Sequence, residues 1–533
     1  LAAGAAASAV SIPAGAAATL PPSVKPAEPA QFDRTAELDE CTLDDLNKAM
    51  AAGEESSRTL CQKYLDRIAK IDQAGPLLRS VIELNPDALA IADDLDRERR
   101  AKGPRGPLHG IPVLIKDNIA TADRMATTAG SLAMLDAKPL ADAFVARRLR
   151  EAGVVLLGKT NLSEWANIRC TYSTSGWSGR GGLTRNPYAL DRNPCGSSSG
   201  SGVAVAANLC AISIGTETDG SIVCPSSVCG IVGIKPTVGL VSRTGIIPIS
   251  HSQDTAGPMT RTVRDAAILL GVLAGVDVSD EATAAAKDHL HPDYTQFLDP
   301  QGLKNAKIGV ARNYFDFHDG VEAVMSTALD LLKQAGATLI DTEELKSVDA
   351  VGSAEGTVFE YELKADMAAY LAWLGPNSPM KSLKDLIEFN LANREREMPY
   401  FGQDFFEKAV ERGPLSEYEY VEALAKCRRI SRTEGIDAVM EKHKLDAIVA
   451  PTMGPGCVTD LVNGDRWIGG STTPAAVSGY PSITVPAGLI FGLPLGLSFF
   501  GRAWSEPVLL KLAYAFEQAT KFRKAPEFRP TAI

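Results

Sequence analysis

Two clusters of serine and glycine lie close together in the chain: C-G-S-S-S-G-S-G from Cys195 and G-T-E-T-D-G-S-I from Gly215. Glycine lets the backbone turn tightly and approach a ligand closely. Serine hydroxyls set among freed N–H groups suit chemistry in which negative charge develops on an oxygen. A flexible linker has a similar composition, but the first cluster runs directly into the apolar V-A-V-A-A-N-L-C-A-I-S-I. The span reads as a reactive site.

A nucleophilic serine needs a base. The run G-S-S-S-G formally matches G-x-S-x-G, a nucleophile elbow that requires a buried strand before it and a histidine partner later. Here N-P-Y-A-L-D-R-N-P-C precedes it, with two prolines and no strand. His251, in I-P-I-S-H-S-Q-D, is the least unsuitable of the six histidines, yet nothing in its setting distinguishes it. The pattern G-x-x-x-x-G-K-[ST] is absent, so no phosphate-cradling loop is expected. Lysine is the other base. Burial penalises its charged form, and the neutral amine can take a proton from serine directly or through a second hydroxyl. Residues 111–115, I-P-V-L-I, read as a short buried strand that delivers Lys116, Asp117 and Asn118 at its end. A lysine–aspartate salt bridge is the competing reading of the same K-D-N. Lys116, Ser197 and Ser221 all stand beside turn residues, but spacing alone does not select them from their neighbours.

The elements that must position these groups alternate between helix and strand. V-V-L-L-G-K-T from Val154 reads as a strand buried on both faces, as in parallel sheets. Residues 142–153 and 201–209 read as helices, and 211–214 as a strand. Residues 236–248 read as turn, strand, turn. A β-to-α unit starts near Leu303, and 358–434 read as helical, with aromatics such as Phe359, Tyr370, Trp373 and Phe406 divided between core and pocket. Residues 445–452 return to a buried strand. The apolar run 483–501 is broken by Pro486, Gly488, Gly492, Pro494 and Gly496, and reads as two strands rather than a membrane span. Thr42 and Ser57 read as caps of two early helices.

These pieces together carry a resemblance. I-P-V-L-I-K-D-N, C-G-S-S-S-G-S-G, G-T-E-T-D-G-S-I-V-C-P and G-I-V-G-I-K-P-T resemble the amidase signature family of serine–cis-serine–lysine hydrolases. Pro451-Thr452 and V-S-G-Y-P-S-I-T-V-P-A-G from Val477 also resemble it, and the likeness spans roughly residue 41 to the C-terminus. It implies an α/β fold with one large domain over 31–533, a signature core at 116–258, and a mixed, mostly parallel, twisted β-sheet covered by helices on both sides. It implies Lys116 as base, Ser197 (preceded by a cis peptide) as the bridging serine, and Ser221 as nucleophile. Backbone N–H groups of Thr218, Asp219, Gly220 and Ser221 would form the oxyanion hole, supported by Gly196, Ser198 and Asp117. The chain departs from the common pattern with Cys195 where the family often has glycine, and with Asp219 where many members have glycine.

The implied reaction is hydrolysis of carboxylic acid amides with release of ammonia, without metal or organic cofactor. The likeness is greatest to members acting on C-terminal peptide amides. A general aryl or aliphatic amidase, the amidase component of a glutamine amidotransferase, and a non-catalytic binding protein are the alternatives. The 358–434 section is expected to cover the site, and residues 358–406 and 463–473 to line its pocket. A formal charge of −11 argues against gripping nucleic acid or an acidic membrane, so a small-molecule or peptide amide substrate and a monomer are expected. Nine scattered cysteines do not make a disulfide scaffold in a chain of 533 residues; Cys195, Cys224 and Cys229 read as small buried side chains. The Ala/Pro-rich residues 1–30 read as a flexible arm. They are compatible with export to a periplasm, and a cytoplasmic location stays open.

Overall fold

Short runs rich in Val, Ile and Leu form the strands, because apolar and branched side chains fit a pleated surface buried between layers. The computed structural model describes residues 38–342, 345, 347–376 and 378–533. The expected arm over residues 1–30 lies outside the described residues. The strands are β1 (Val81–Leu84), β2 (Pro112–Lys116), β3 (Val155–Thr160), β4 (Trp177–Ser178), β5 (Gly182–Leu183), β6 (Ile212–Glu217) and β7 (Val232–Lys235). They continue as β8 (Thr255–Thr260), β9 (Lys307–Ala311), β10 (Thr338–Thr342), β11 (Ala447–Pro451), β12 (Ser482–Ile490) and β13 (Leu493–Phe500). β4 and β5 pair with each other, and the other eleven form one sheet in the order β1-β3-β2-β6-β8-β7-β12-β13-β11-β9-β10.

The sheet is mixed, but it is not mostly parallel. β2 runs parallel to β3 and β6, and β9 runs parallel to β10 and β11. The other six of its ten pairings are antiparallel, among them β6–β8, β7–β8, β7–β12 and β12–β13. The parallel pairs lie where strands are separated by helices, the pattern visible in the sequence. The reversal in the middle comes from β7 and β8, whose V-G-I-K and T-A-G-P-M-T carry glycine and proline and so weak strand propensity.

Smaller corrections have equally local causes. Residues 236–248 contain no named strand, only isolated bridges such as Val238 to Val241. The second early helix is capped by Ser56 rather than Ser57; the Ser56 hydroxyl accepts from Thr59 N at 3.1 Å. Thr42 caps the first as expected, within a reciprocal capping box. The apolar run 483–501 forms the β12–β13 hairpin, and among the described residues no helix is long and apolar enough to cross a membrane. Residues 358–434 are helical, led by the 27-residue helix Ser347–Trp373. Phe406 packs in a core cluster with Trp165 and Leu386.

Candidate active site

Strand β2 carries Lys116 at its last position, where the side chain is completely buried. Burial pulls its amine from the ordinary 10.5 down to about 7, against the opposing fields of the Asp254 and Glu217 carboxylates. No salt bridge involves Lys116 among the described residues. Its Nζ lies 2.8 Å from Thr216 Oγ1, 3.1 Å from Thr216 O and 2.7 Å from Ser197 Oγ. A neutral amine has two N–H donors and one lone pair. With both hydrogens directed to the two Thr216 oxygens, the lone pair faces the Ser197 hydroxyl. The arrangement can accept a proton.

Asp117, the next residue, turns away from the amine. Its buried carboxylate accepts from Gly130 N at 3.1 Å and Arg180 Nη1 at 3.3 Å, and from the Thr128 hydroxyl. Burial raises its pKa, opposed by Arg180 and Lys159. The expected salt-bridge alternative for K-D-N is therefore answered by Arg180 and not by Lys116. Asn118 donates at 2.9 Å to the same Thr216 Oγ1 that receives Lys116.

The first serine cluster enters this site through a cis peptide between Gly196 and Ser197. A Cβ on Gly196 would stand 2.2 Å from Ser163 Oγ, so glycine is required for the close approach. Ser198 knots the two clusters together. Its hydroxyl donates to Thr216 O at 3.0 Å, it receives Thr216 N at 3.2 Å, and its own N–H donates to Ser221 O at 3.2 Å.

Strand β6 delivers the second cluster. Beyond Glu217 the chain turns through 218–221 into the short helix Val223–Val228. Glu217 Oε2 receives the N–H groups of Ile222 (2.7 Å) and Val223 (3.0 Å), which holds the turn after Ser221. The Asp219 carboxylate accepts from the hydroxyls of Thr472 (2.6 Å) and Thr473 (2.7 Å), anchoring the loop from the far side. Burial raises the pKa of both carboxyls. Ser221 is 8% exposed. Among the described residues, the N–H groups of Thr218, Asp219, Gly220 and Ser221 make no hydrogen bond. Four successive N–H groups without a protein partner, in a loop that borders two cavities, can donate to an oxygen of a bound ligand.

Cavities adjoin both sides of this loop. One, of about 520 Å³, is bordered by Gly196, Asp219, Gly220, Asp465, Trp467 and Thr472. The other, of about 340 Å³, is bordered by Thr216, Thr218, Ile247, Asp254, Tyr370 and Trp373. Both segments expected to line a pocket thus contribute residues, 463–473 to the first and 358–406 to the second.

Several features were not visible in the sequence. Cys195 and Cys224 form a disulfide, with Cα atoms 6.2 Å apart, in place of two separate small side chains. It joins the residue before the cis peptide to the third residue after Ser221. The only signal was that the two cysteines flank the two serine clusters. Thr216, the acceptor for Lys116, carries no local signal beyond its place in G-T-E-T. His251 is not a partner of either serine; its ring hydrogen-bonds to Asp366 at 3.0 Å.

A sequence profile described as Amidase matches residues 59–510. The chain belongs to the amidase-signature family. It is similar to the peptide amidase of Stenotrophomonas maltophilia, with 52% identity and a TM-score of 0.88 over 92% of this chain and 99% of that one. A probable amidase of Arabidopsis thaliana is 42% identical over 515 residues, 95% of each chain. An amidase family protein from Bacillus anthracis is 37% identical, with a TM-score of 0.84 over 92% of this chain and 93% of its own. This chain is an amidase of that family, and its likeness is strong to a peptide amidase.

Proposed function

We propose that this amidase removes the terminal nitrogen of C-terminally amidated peptides as ammonia, through an acyl-enzyme on Ser221. The observation that carries the chemistry is the buried Lys116, with both N–H directions satisfied by Thr216 and its third contact on Ser197. Neutral Lys116 takes a proton from Ser197 as Ser197 takes one from Ser221, whose oxygen attacks the amide carbon. The oxygen of the tetrahedral adduct is received by the unpaired N–H groups of 218–221, where a single donor is worth about 3–4 kcal/mol. The relayed proton passes to the departing nitrogen, the C–N bond breaks, and ammonia leaves. Water then repeats the sequence, with its proton taken by the same relay, to release the carboxylic acid and free Ser221.

The likeness to a peptide amidase supports the substrate class. The roughly 520 Å³ cavity beside Gly220 suits the acyl portion of a short peptide. We take the helical section 358–434 to close over the site, and a single chain to be the working unit. The test is ammonia release from an amidated dipeptide and from its free-acid counterpart, with wild type and Ser221→Ala. Release from the amide alone, lost in the variant, is the expected result. Release that survives in Ser221→Ala overturns the nucleophile. No release by the wild type overturns the substrate class.

A further inference from the structure

The long helix Ser347–Trp373 sends one polar side chain to the oxyanion loop. Gln253, which is buried, donates from its amide nitrogen to Thr218 O at 3.2 Å and to Glu355 Oε1 at 2.9 Å. The carboxyl of Glu355 also lies within hydrogen-bonding reach of that of Asp219. Two carboxyl groups can hydrogen-bond only if one keeps its proton. Asp219 already receives the hydroxyls of Thr472 and Thr473, which favour its ionised form, so the proton belongs on Glu355. In that state Glu355 donates to Asp219 and accepts from Gln253.

The point of attachment matters because of peptide planarity. Thr218 O and the N–H of Asp219 belong to one rigid peptide unit. Fixing the carbonyl through Gln253 therefore fixes the direction of an N–H that faces the developing oxyanion. Asp219 itself is held on three sides, by Thr472, Thr473 and Glu355. Nothing in the K-D-N or serine-cluster motifs supplies these contacts.

We propose that Glu355 is a positioning residue for amide hydrolysis, its protonated carboxyl tying the helix Ser347–Trp373 to Asp219 and, through Gln253, to the peptide unit that presents the Asp219 N–H. The proposal rests on the reading of 218–221 as the oxyanion hole. Burial and the neighbouring Asp219 push the Glu355 carboxyl up to about 8. The other titratable groups facing the pair are Glu217 and Lys235, at the ends of β6 and β7, and Cys427 from the helix Tyr418–Arg428. Ionisation of Glu355 places two carboxylates together and removes the donor to Asp219. The loop then loses its tie.

The experiment compares wild type, Glu355→Gln and Glu355→Ala. The glutamine keeps a donor and an acceptor but cannot ionise. With an amidated dipeptide, kcat of the wild type should fall as pH rises through about 8, and Glu355→Gln should lack that fall while matching wild type near pH 7. Glu355→Ala should lose kcat about tenfold or more near pH 7, with KM little changed, and the deficit should shrink as wild type loses the same tie above about pH 8, because small misplacements of catalytic groups are costly in the transition state. A second readout needs no substrate. A carboxyl whose folded pKa lies above its unfolded one contributes stability that is intact below about 4.5 and lost as pH rises through about 8. The melting temperature of wild type should therefore fall relative to Glu355→Gln between pH 5 and pH 8. An alkaline fall in kcat that persists in Glu355→Gln, wild-type kcat in Glu355→Ala near pH 7, or a melting difference independent of pH each overturns the proposal. Failure of wild type to release ammonia from the dipeptide overturns the substrate reading instead, and the melting comparison still decides the pair.

Discussion

The base makes a quantitative prediction about pH. In the proposed relay Lys116 acts as a neutral amine, and its folded value of about 7 places half of it in that form at neutral pH. Moving an amine from 10.5 to about 7 corresponds to roughly 5 kcal/mol against the ammonium, which complete burial away from water supplies. Below that value kcat/KM should fall tenfold per pH unit, to about a tenth at pH 6 and about a hundredth at pH 5. The assay is initial-rate ammonia release from a subsaturating amidated dipeptide between pH 5 and pH 9, with folding checked at each pH by circular dichroism. Asp254→Asn adds a directional test. The Asp254 carboxylate favours the ammonium form of Lys116, so its removal should move the acid limb to lower pH. The asparagine oxygen can still accept from Thr218 Oγ1, which Asp254 now does at 2.6 Å. Lys116→Met should remove both the limb and nearly all the rate. A limb centred in the carboxylate range, a limb that survives in Lys116→Met, or an upward shift in Asp254→Asn would refute the lysine-base argument.

Other consequences can be checked with the same assay or by denaturation. Ser197→Ala interrupts the relay while leaving Ser221 in place, and kcat should fall by about 10²–10⁴, the range for loss of a proton-transfer group; an unchanged kcat sinks the bridging role. Gly220 has a φ of +75°, and a Cβ there would lie 3.1 Å from Thr472 Oγ1. Gly220→Ala should cost about 1–2 kcal/mol in stability and lower kcat more than it raises KM; wild-type melting and kcat together would contradict this. The Cys195–Cys224 bridge spans a sequence separation of 29, for which chain entropy predicts about 3–4 kcal/mol. The double serine variant, compared with oxidised wild type in urea melts, should show that loss, and coincident melts would count against a stabilising bridge.

The chain's own order of residues contained the candidate reactive groups. Lys116 ends a five-residue apolar run, and Ser197 and Ser221 stand in glycine-bordered clusters, so their candidacy was legible as local pattern. Strands flanking helices, β2, β3, β6 and β9, were legible for the same reason, since burial on both faces leaves a continuous apolar run. The β12–β13 hairpin showed itself through its repeated prolines and glycines.

What only the tertiary structure decided lies in contacts between distant segments. The direction of β7 and β8 depends on which neighbours they meet, and their glycine and proline hide the strand period, so the sheet's antiparallel centre was not legible. The same is true of Thr216 as the double acceptor for Lys116, of the Cys195–Cys224 bond, and of Glu355, which reaches Asp219 from 136 positions along the chain. Even the proposed base depends on this. A lysine in sequence is an ordinary cation, and it becomes a proton acceptor near neutral pH only where packing removes water from its amine.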